Sequence, residues 1–158
     1  MRALATRVGR RLKAKKRRLV SAESCTGGWV AQAITSIAGS SAWFERGFVT
    51  YSNAAKRELL GVKATTLRKY GAVSEQTARE MARGALARSK GNLALAVTGI
   101  AGPGGGSPDK PVGTVCFAWI HRTKLRSETR RFSGDRESVR RKSVIRALEG
   151  VLETLAGG

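Results

Sequence analysis

Acidic side chains are scarce in this sequence: 11 Asp and Glu stand against 30 Lys and Arg in 158 residues, a formal net charge of +19. Histidine is scarcer still. A single one, His121, excludes most histidine-based zinc sites and would make any Ser-His-Asp triad depend on one residue at a strand end. The 2 cysteines, Cys25 and Cys116, have no metal-ligand spacing and read as reduced thiols of a cytosolic chain. No apolar run is long enough to span a bilayer, and no signal-peptide core follows the basic N-terminus. The expectation is a soluble, cytoplasmic protein with no membrane partner. No internal repeat or linker is visible, so residues 1–158 read as one domain, long enough to bury a core without staples.

Hydrophobic residues make up 41% of the chain, and its 19 glycines fit an α/β protein with functional loops. Nine Lys or Arg precede the first acid, Glu23, and a second basic block runs from Arg122 to Arg146. Such a field attracts phosphates, on a nucleotide or on nucleic acid; it equally describes a solvated surface.

Apolar spacing organises the chain. Leu4, Val8 and Leu12 mark a basic amphipathic helix within residues 1–18. Residues 19–23 read as a strand, and Gly28–Ala38 as a helix stopped by Gly39. Phe44–Tyr51 reads as a strand, and Ser52-Asn53 caps a helix that ends at Gly61. Ser74 caps the clearest helix, with Ala78, Met81, Ala82, Ala85 and Leu86 on one face. Leu93–Val97 and Val115–Ile120 are buried strands, the second expected to be central. Leu125–Phe132 alternates with charge, as an edge strand paired to it through a hairpin would. Gly134-Asp135 caps a last helix carrying Val144, Ala147, Leu148, Val151, Leu152 and Leu155. This alternation predicts an α/β three-layer α/β/α sandwich with a mixed sheet of about five strands.

Chemistry is expected first at Ser21-Ala22-Glu23-Ser24-Cys25-Thr26-Gly27-Gly28, where a strand runs into a helix through small polar residues. The unpaired amides of the first helical turn would favour an anion or a nucleophile there; the alternative is an ordinary Ser or Thr N-cap. Ser24 and Cys25 are rival nucleophiles. The glycine-rich loop Gly99–Val112 is too long for mere connection, yet lacks the P-loop and dinucleotide spacings. It wraps a small ligand with backbone amides or serves as a surface lid. With Asn53 as N-cap, Lys56 falls in the first helical turn, where the helix dipole and the basic protein lower its pKa, and partial burial would push the same way. A neutral lysine there could take a proton from a serine; an exposed lysine is the plainer reading. Arg136 and Arg140 share a helix face as a phosphate clamp or as free surface charges. Tyr51 is an oxyanion donor or a core residue with a satisfied hydroxyl.

The ordered segments Ala22–Gly28, Gly39–Phe44, Gly47–Lys56, Gly71–Ser74, Thr98–Pro103, Lys110–Val115 and Phe132–Arg136 resemble the CinA C-terminal domain family, the nicotinamide-mononucleotide amidohydrolases. The resemblance covers nearly the whole chain except its first twenty residues or so. It implies a metal-independent, cofactor-free amidase that converts nicotinamide mononucleotide to nicotinic acid mononucleotide and ammonia, on the sandwich fold already expected. It also implies Ser24 as nucleophile, Lys56 as base, Tyr51 beside them, and Thr98 and Arg140 at the site. Cys25, Thr26, Gly27, Gly28, Ser41, Gly99, Gly102 and Arg136 complete the expected substrate contacts. A homo-oligomer and the stand-alone form of the family are implied as well. A nucleic-acid-binding module is the main rival reading, although no helix-turn-helix, RNA-recognition or zinc-finger signature is present; the same fold acting on a different amide, or without catalysis, is the other.

Overall fold

In the computed structural model, which describes residues 1–158, five strands form one mixed sheet in the order β2-β1-β3-β4-β5. The strands are β1 (Leu19–Glu23), β2 (Phe44–Val49), β3 (Leu93–Gly99), β4 (Thr114–His121) and β5 (Lys124–Arg131). The first three run parallel and the last two antiparallel. The helices are α1 (Arg2–Ala14), α2 (Trp29–Thr35), α3 (Asn53–Leu60), α4 (Ala64–Tyr70), α5 (Glu75–Ala87) and α6 (Arg136–Ala156). The expected three-layer α/β/α sandwich is present.

Period-two patterning decides which helices cover which face. Leu93, Leu95, Val97, Val115, Phe117 and Trp119 join Leu12, Ile34 and Leu148 in the core under α1, α2 and α6. Ala94, Ala96 and Ala118 face Ala78, Met81 and Ala82 of α5 on the other side. Large side chains on one face and alanines on the other let α5 lie close against the sheet. The α3–α5 approach is equally close: a Cβ on Gly84 would come 1.9 Å from the Leu60 carbonyl oxygen.

Several boundaries differ from expectation. α2 stops at Thr35 rather than Ala38, because the Thr35 and Ser36 hydroxyls donate to the carbonyls of Ala31 and Ala33 at 2.8 and 2.7 Å. A 3₁₀ turn at Ser40–Ala42 follows it. α4 has no counterpart in the sequence expectations. β4 is interior and buried along its whole length, but the middle place belongs to β3. Ser52, not Asn53, caps α3 by accepting from the Ala55 N–H at 3.0 Å. Lys56 is therefore the fourth helical residue, one position deeper than expected.

Two crossovers position the site. The chain leaves β1 through α2 on one face to reach β2, then returns through α3, α4 and α5 on the other face to reach β3. Strand order thus reverses between β1 and β3, and a crevice opens outside their carboxyl ends, where α/β proteins bind ligands.

Candidate active site

Ser24 follows β1 directly, and its N–H is tied to the Val97 carbonyl of β3 at 3.0 Å. Beside it, Thr50 continues β2, giving its N–H to the Glu23 carbonyl at 2.8 Å. α3 then brings Lys56 back over the strand ends. Its Nζ stands 3.0 Å from Ser24 Oγ and donates to the Thr50 carbonyl at 3.0 Å. Lys56 is 1% exposed, and no carboxylate forms an ion pair with it. Burial lowers its pKa from the usual 10.5, opposed weakly by the Cys25 thiol. The expected direction holds through burial, one of the two expected causes, rather than through the helix end. An uncharged amine so placed can give a hydrogen to Thr50 and turn its lone pair to the serine hydroxyl.

The neighbouring thiol is in the opposite condition. Cys25 is buried in the apolar core under α2, and burial, with the Glu23 carboxylate adding to it, pushes its pKa up to about 12. A thiol held protonated is a poor nucleophile.

Glu23 is the residue that sequence reasoning missed. Its fully buried carboxylate accepts from the Thr26 hydroxyl at 2.6 Å, the Val30 N–H at 2.8 Å and the Ala31 N–H at 3.1 Å. It therefore satisfies the start of α2, where Gly28 is N-cap without a side chain of its own. This corrects the expectation of an anion site or a Ser/Thr cap there: a carboxylate of the protein occupies the helix end. The available signal was a helix start with glycine at its cap in an acid-poor chain, which requires a cap from elsewhere.

A cavity of about 280 Å³ opens over Ser24 and Lys56. Of the expected residues, Ser24, Cys25, Tyr51, Lys56, Thr98, Gly99, Gly102 and Arg136 line it, and Asn53, Ala72 and Val73 add to its wall. Thr98 donates its hydroxyl to the Ala72 carbonyl at 2.9 Å. Arg136 spans the mouth, donating to the Gly102 carbonyl at 2.9 Å and the Tyr51 hydroxyl at 3.0 Å. Tyr51 is 62% exposed, so it is no core residue.

The remaining expected residues lie outside the cavity wall. Arg140 donates to the carbonyls of Cys25 and Thr26, both at 3.1 Å, and so braces the turn that carries Ser24. The two arginines four apart thus divide, one at the cavity and one behind the turn. Thr26 is spent on Glu23, while Gly27 and Gly28 take positive φ values of 59° and 101° to shape the turn. Ser41 is exposed in the turn before β2, at the opposite end of the sheet. No group of three or more His, Cys, Asp or Glu side chains comes together to suit a metal ion. No helix is long and apolar enough to cross a membrane.

The sequence profile described as the CinA C-terminal domain matches residues 1–155. A Pseudomonas putida protein named nicotinamide-nucleotide amidohydrolase PncC is 54% identical over 150 residues, covering 95% of this chain and 94% of that one. A protein of the same name from Escherichia coli K12 is 56% identical over 150 residues, covering 92% and 89%. Among solved structures, the competence/damage inducible protein CihA of Agrobacterium tumefaciens superposes with a TM-score of 0.94 at 50% identity, over 98% of this chain and 94% of its own. A CinA superfamily protein of Klebsiella pneumoniae gives 0.96 at 43% identity, over 99% and 98%. The chain belongs to the CinA C-terminal domain family.

Proposed function

We propose that this chain is an amidase that hydrolyses the carboxamide of nicotinamide mononucleotide to nicotinic acid mononucleotide and ammonia, with Ser24 as nucleophile and Lys56 as its base. The names carried by relatives at 54% and 56% identity supply the substrate. The observation that carries the chemistry is the buried, unpaired Lys56 amine 3.0 Å from Ser24 Oγ inside a cavity. Neutral Lys56 takes the hydroxyl proton as Ser24 Oγ bonds to the carboxamide carbon. The resulting ammonium returns that proton to the amide nitrogen, the C–N bond breaks, and ammonia leaves an ester on Ser24. Lys56 next takes a proton from water; the hydroxide attacks the ester, and Ser24 regains its proton as the acid product departs. The N–H of Cys25 donates to no backbone carbonyl and adjoins the nucleophile, which suits it to the developing oxyanion. No metal ion or cofactor enters these steps.

The nucleotide phosphate needs a cation at the rim. Arg136 fits: it lines the cavity, and both of its partners are neutral. The test is ammonia release from nicotinamide, its riboside and its mononucleotide. Strong preference for the mononucleotide is expected; equal rates, or none on any of the three, would refute the assignment.

A further inference from the structure

Part of the second basic region of the chain is paired with its own acids. Arg126 pairs with Glu153, Arg130 with Glu128, Arg141 with Glu137, and Arg146 with Glu128 and Glu153. The first is not: none of the nine Lys and Arg before Glu23 forms an ion pair.

Topology gathers the end of that first region with the β4–β5 hairpin. Leu19 pairs with Leu93, and Leu93 with His121. The Arg18 carbonyl accepts from the N–H groups of Asn92 and Leu93 at 3.0 and 3.3 Å. Arg18, Asn92 and Arg122 thus stand side by side across three strand ends, about 10 Å in all at the usual strand spacing. Lys15, Lys16 and Arg17 precede this row and Lys124 follows it. The face lies at the other end of the sheet from Ser24, about 17 Å away along β3 at ordinary strand rise.

Two further observations mark it as more than a solvated surface. His121 is 6% exposed, yet its Nε2 has no hydrogen-bond partner, and neither has the buried Nε of Arg17. Burial first, then Arg17, Arg122, Lys124 and Lys15, hold the imidazole below its ordinary pKa, so it sits among four cations. Lys16 and Arg122 are also the two non-glycine residues with positive φ, 52° and 59°, where a glycine or asparagine would be less strained. The negative groups nearby are few. Glu45 is committed to Arg46 and the Lys90 N–H, and the Gly158 terminus packs on the Nδ1 side of His121.

We propose that the face built from Lys15–Arg18 and the His121–Lys124 hairpin binds the phosphodiester backbone of nucleic acid, independently of base sequence and of the amidase site. A small anion needs two or three donors, whereas six cations spread along strand ends suit a repeating chain of phosphates.

The experiment measures binding of fluorescent 20-mer duplex DNA and duplex RNA by the full chain over a salt series. Either duplex should show a log–log slope of about −5, from ~0.9 per phosphate for the six cations. The variant Lys15→Glu/Lys16→Glu/Arg122→Glu/Lys124→Glu should lose at least tenfold in affinity with its deamidation rate intact. A variant of equal charge change on the α3–α5 side, Arg57→Glu/Lys63→Glu/Arg68→Glu/Arg83→Glu, should keep most of its affinity. The lone imidazole is a direct probe: the His121 NMR titration midpoint should move up when duplex is added. Equal loss in the two variants, a flat salt response, an unmoved His121 midpoint, or binding to anionic vesicles but to neither duplex would each overturn the proposal.

Discussion

The Glu23 carboxylate accepts the Val30 N–H at 2.8 Å from the far side of the turn that carries Ser24. A strand end thereby holds a helix start, and the nucleophile sits between the two. Glu23→Ala would leave the Val30 and Ala31 amides and the Thr26 hydroxyl buried without an acceptor, a loss of about 2–4 kcal/mol. Glu23→Gln, which keeps one oxygen acceptor, should cost less. Urea unfolding measures both, and deamidation by the folded fraction of Glu23→Gln should fall as the turn loosens. Unchanged stability in Glu23→Ala would show that the cap carries no weight.

Lys56 sets a stability trend with pH. Its folded pKa is lowered from 10.5, so between the lowered value and 10.5 the unfolded chain binds more protons. Unfolding free energy therefore rises with pH across that window. Below the window the folded chain carries the full cost of a buried ammonium, and above it the cost is gone. Lys56→Met should be at least as stable as the wild type at neutral pH, and the difference between them should shrink as the pH is raised toward 10.5. Turnover of the wild type should climb with pH along a limb whose midpoint lies below 10.5. A variant and wild type with parallel stability profiles would contradict the assignment of a depressed Lys56.

The two arginines of α6 should separate kinetically. Arg136→Ala removes a cation at the cavity rim and should raise KM for the mononucleotide about tenfold or more, with little effect on the phosphate-free riboside. Arg140→Ala releases the Cys25 and Thr26 carbonyls and should lower kcat for both substrates alike. An equal response of the riboside and the mononucleotide to Arg136→Ala would remove its phosphate role.

Cys25 offers a control on the nucleophile. With its pKa pushed up to about 12, the thiol should resist iodoacetamide at neutral pH. Cys25→Ser should retain most of the deamidation rate. Rapid inactivation by alkylation at Cys25, prevented by substrate, would favour sulfur over oxygen.

Legibility of the fold followed the range of the interactions that start its helices. α3, α5 and α6 are capped by Ser52, Ser74 and Asp135, each accepting from an amide three residues on, and the sequence shows these starts to within one residue. α2 and α4 take acceptors from elsewhere, Glu23 in one case and Glu80 of α5 in the other, through the Lys63 N–H and Thr66 hydroxyl. No cap within the local sequence marks the start of α2 or of α4. The strands were legible because alternating leucine and alanine in β3, and an unbroken apolar run in β4, follow directly from burial. Ser24 and Lys56 were singled out by residue type and by family resemblance. The burial that lowers the Lys56 pKa depends on α3 folding over the strand ends, which no local pattern encodes.

In the proposed reaction Ser24 and Lys56 act as one unit. The most direct measurement is ammonia release from nicotinamide mononucleotide by Ser24→Ala, Lys56→Met and the double variant, each checked for folding. Each single change should lower turnover by ~10³-fold or more, with the double variant no lower than the worse single. Near-normal turnover in either single variant, or losses that multiply in the double, would contradict it.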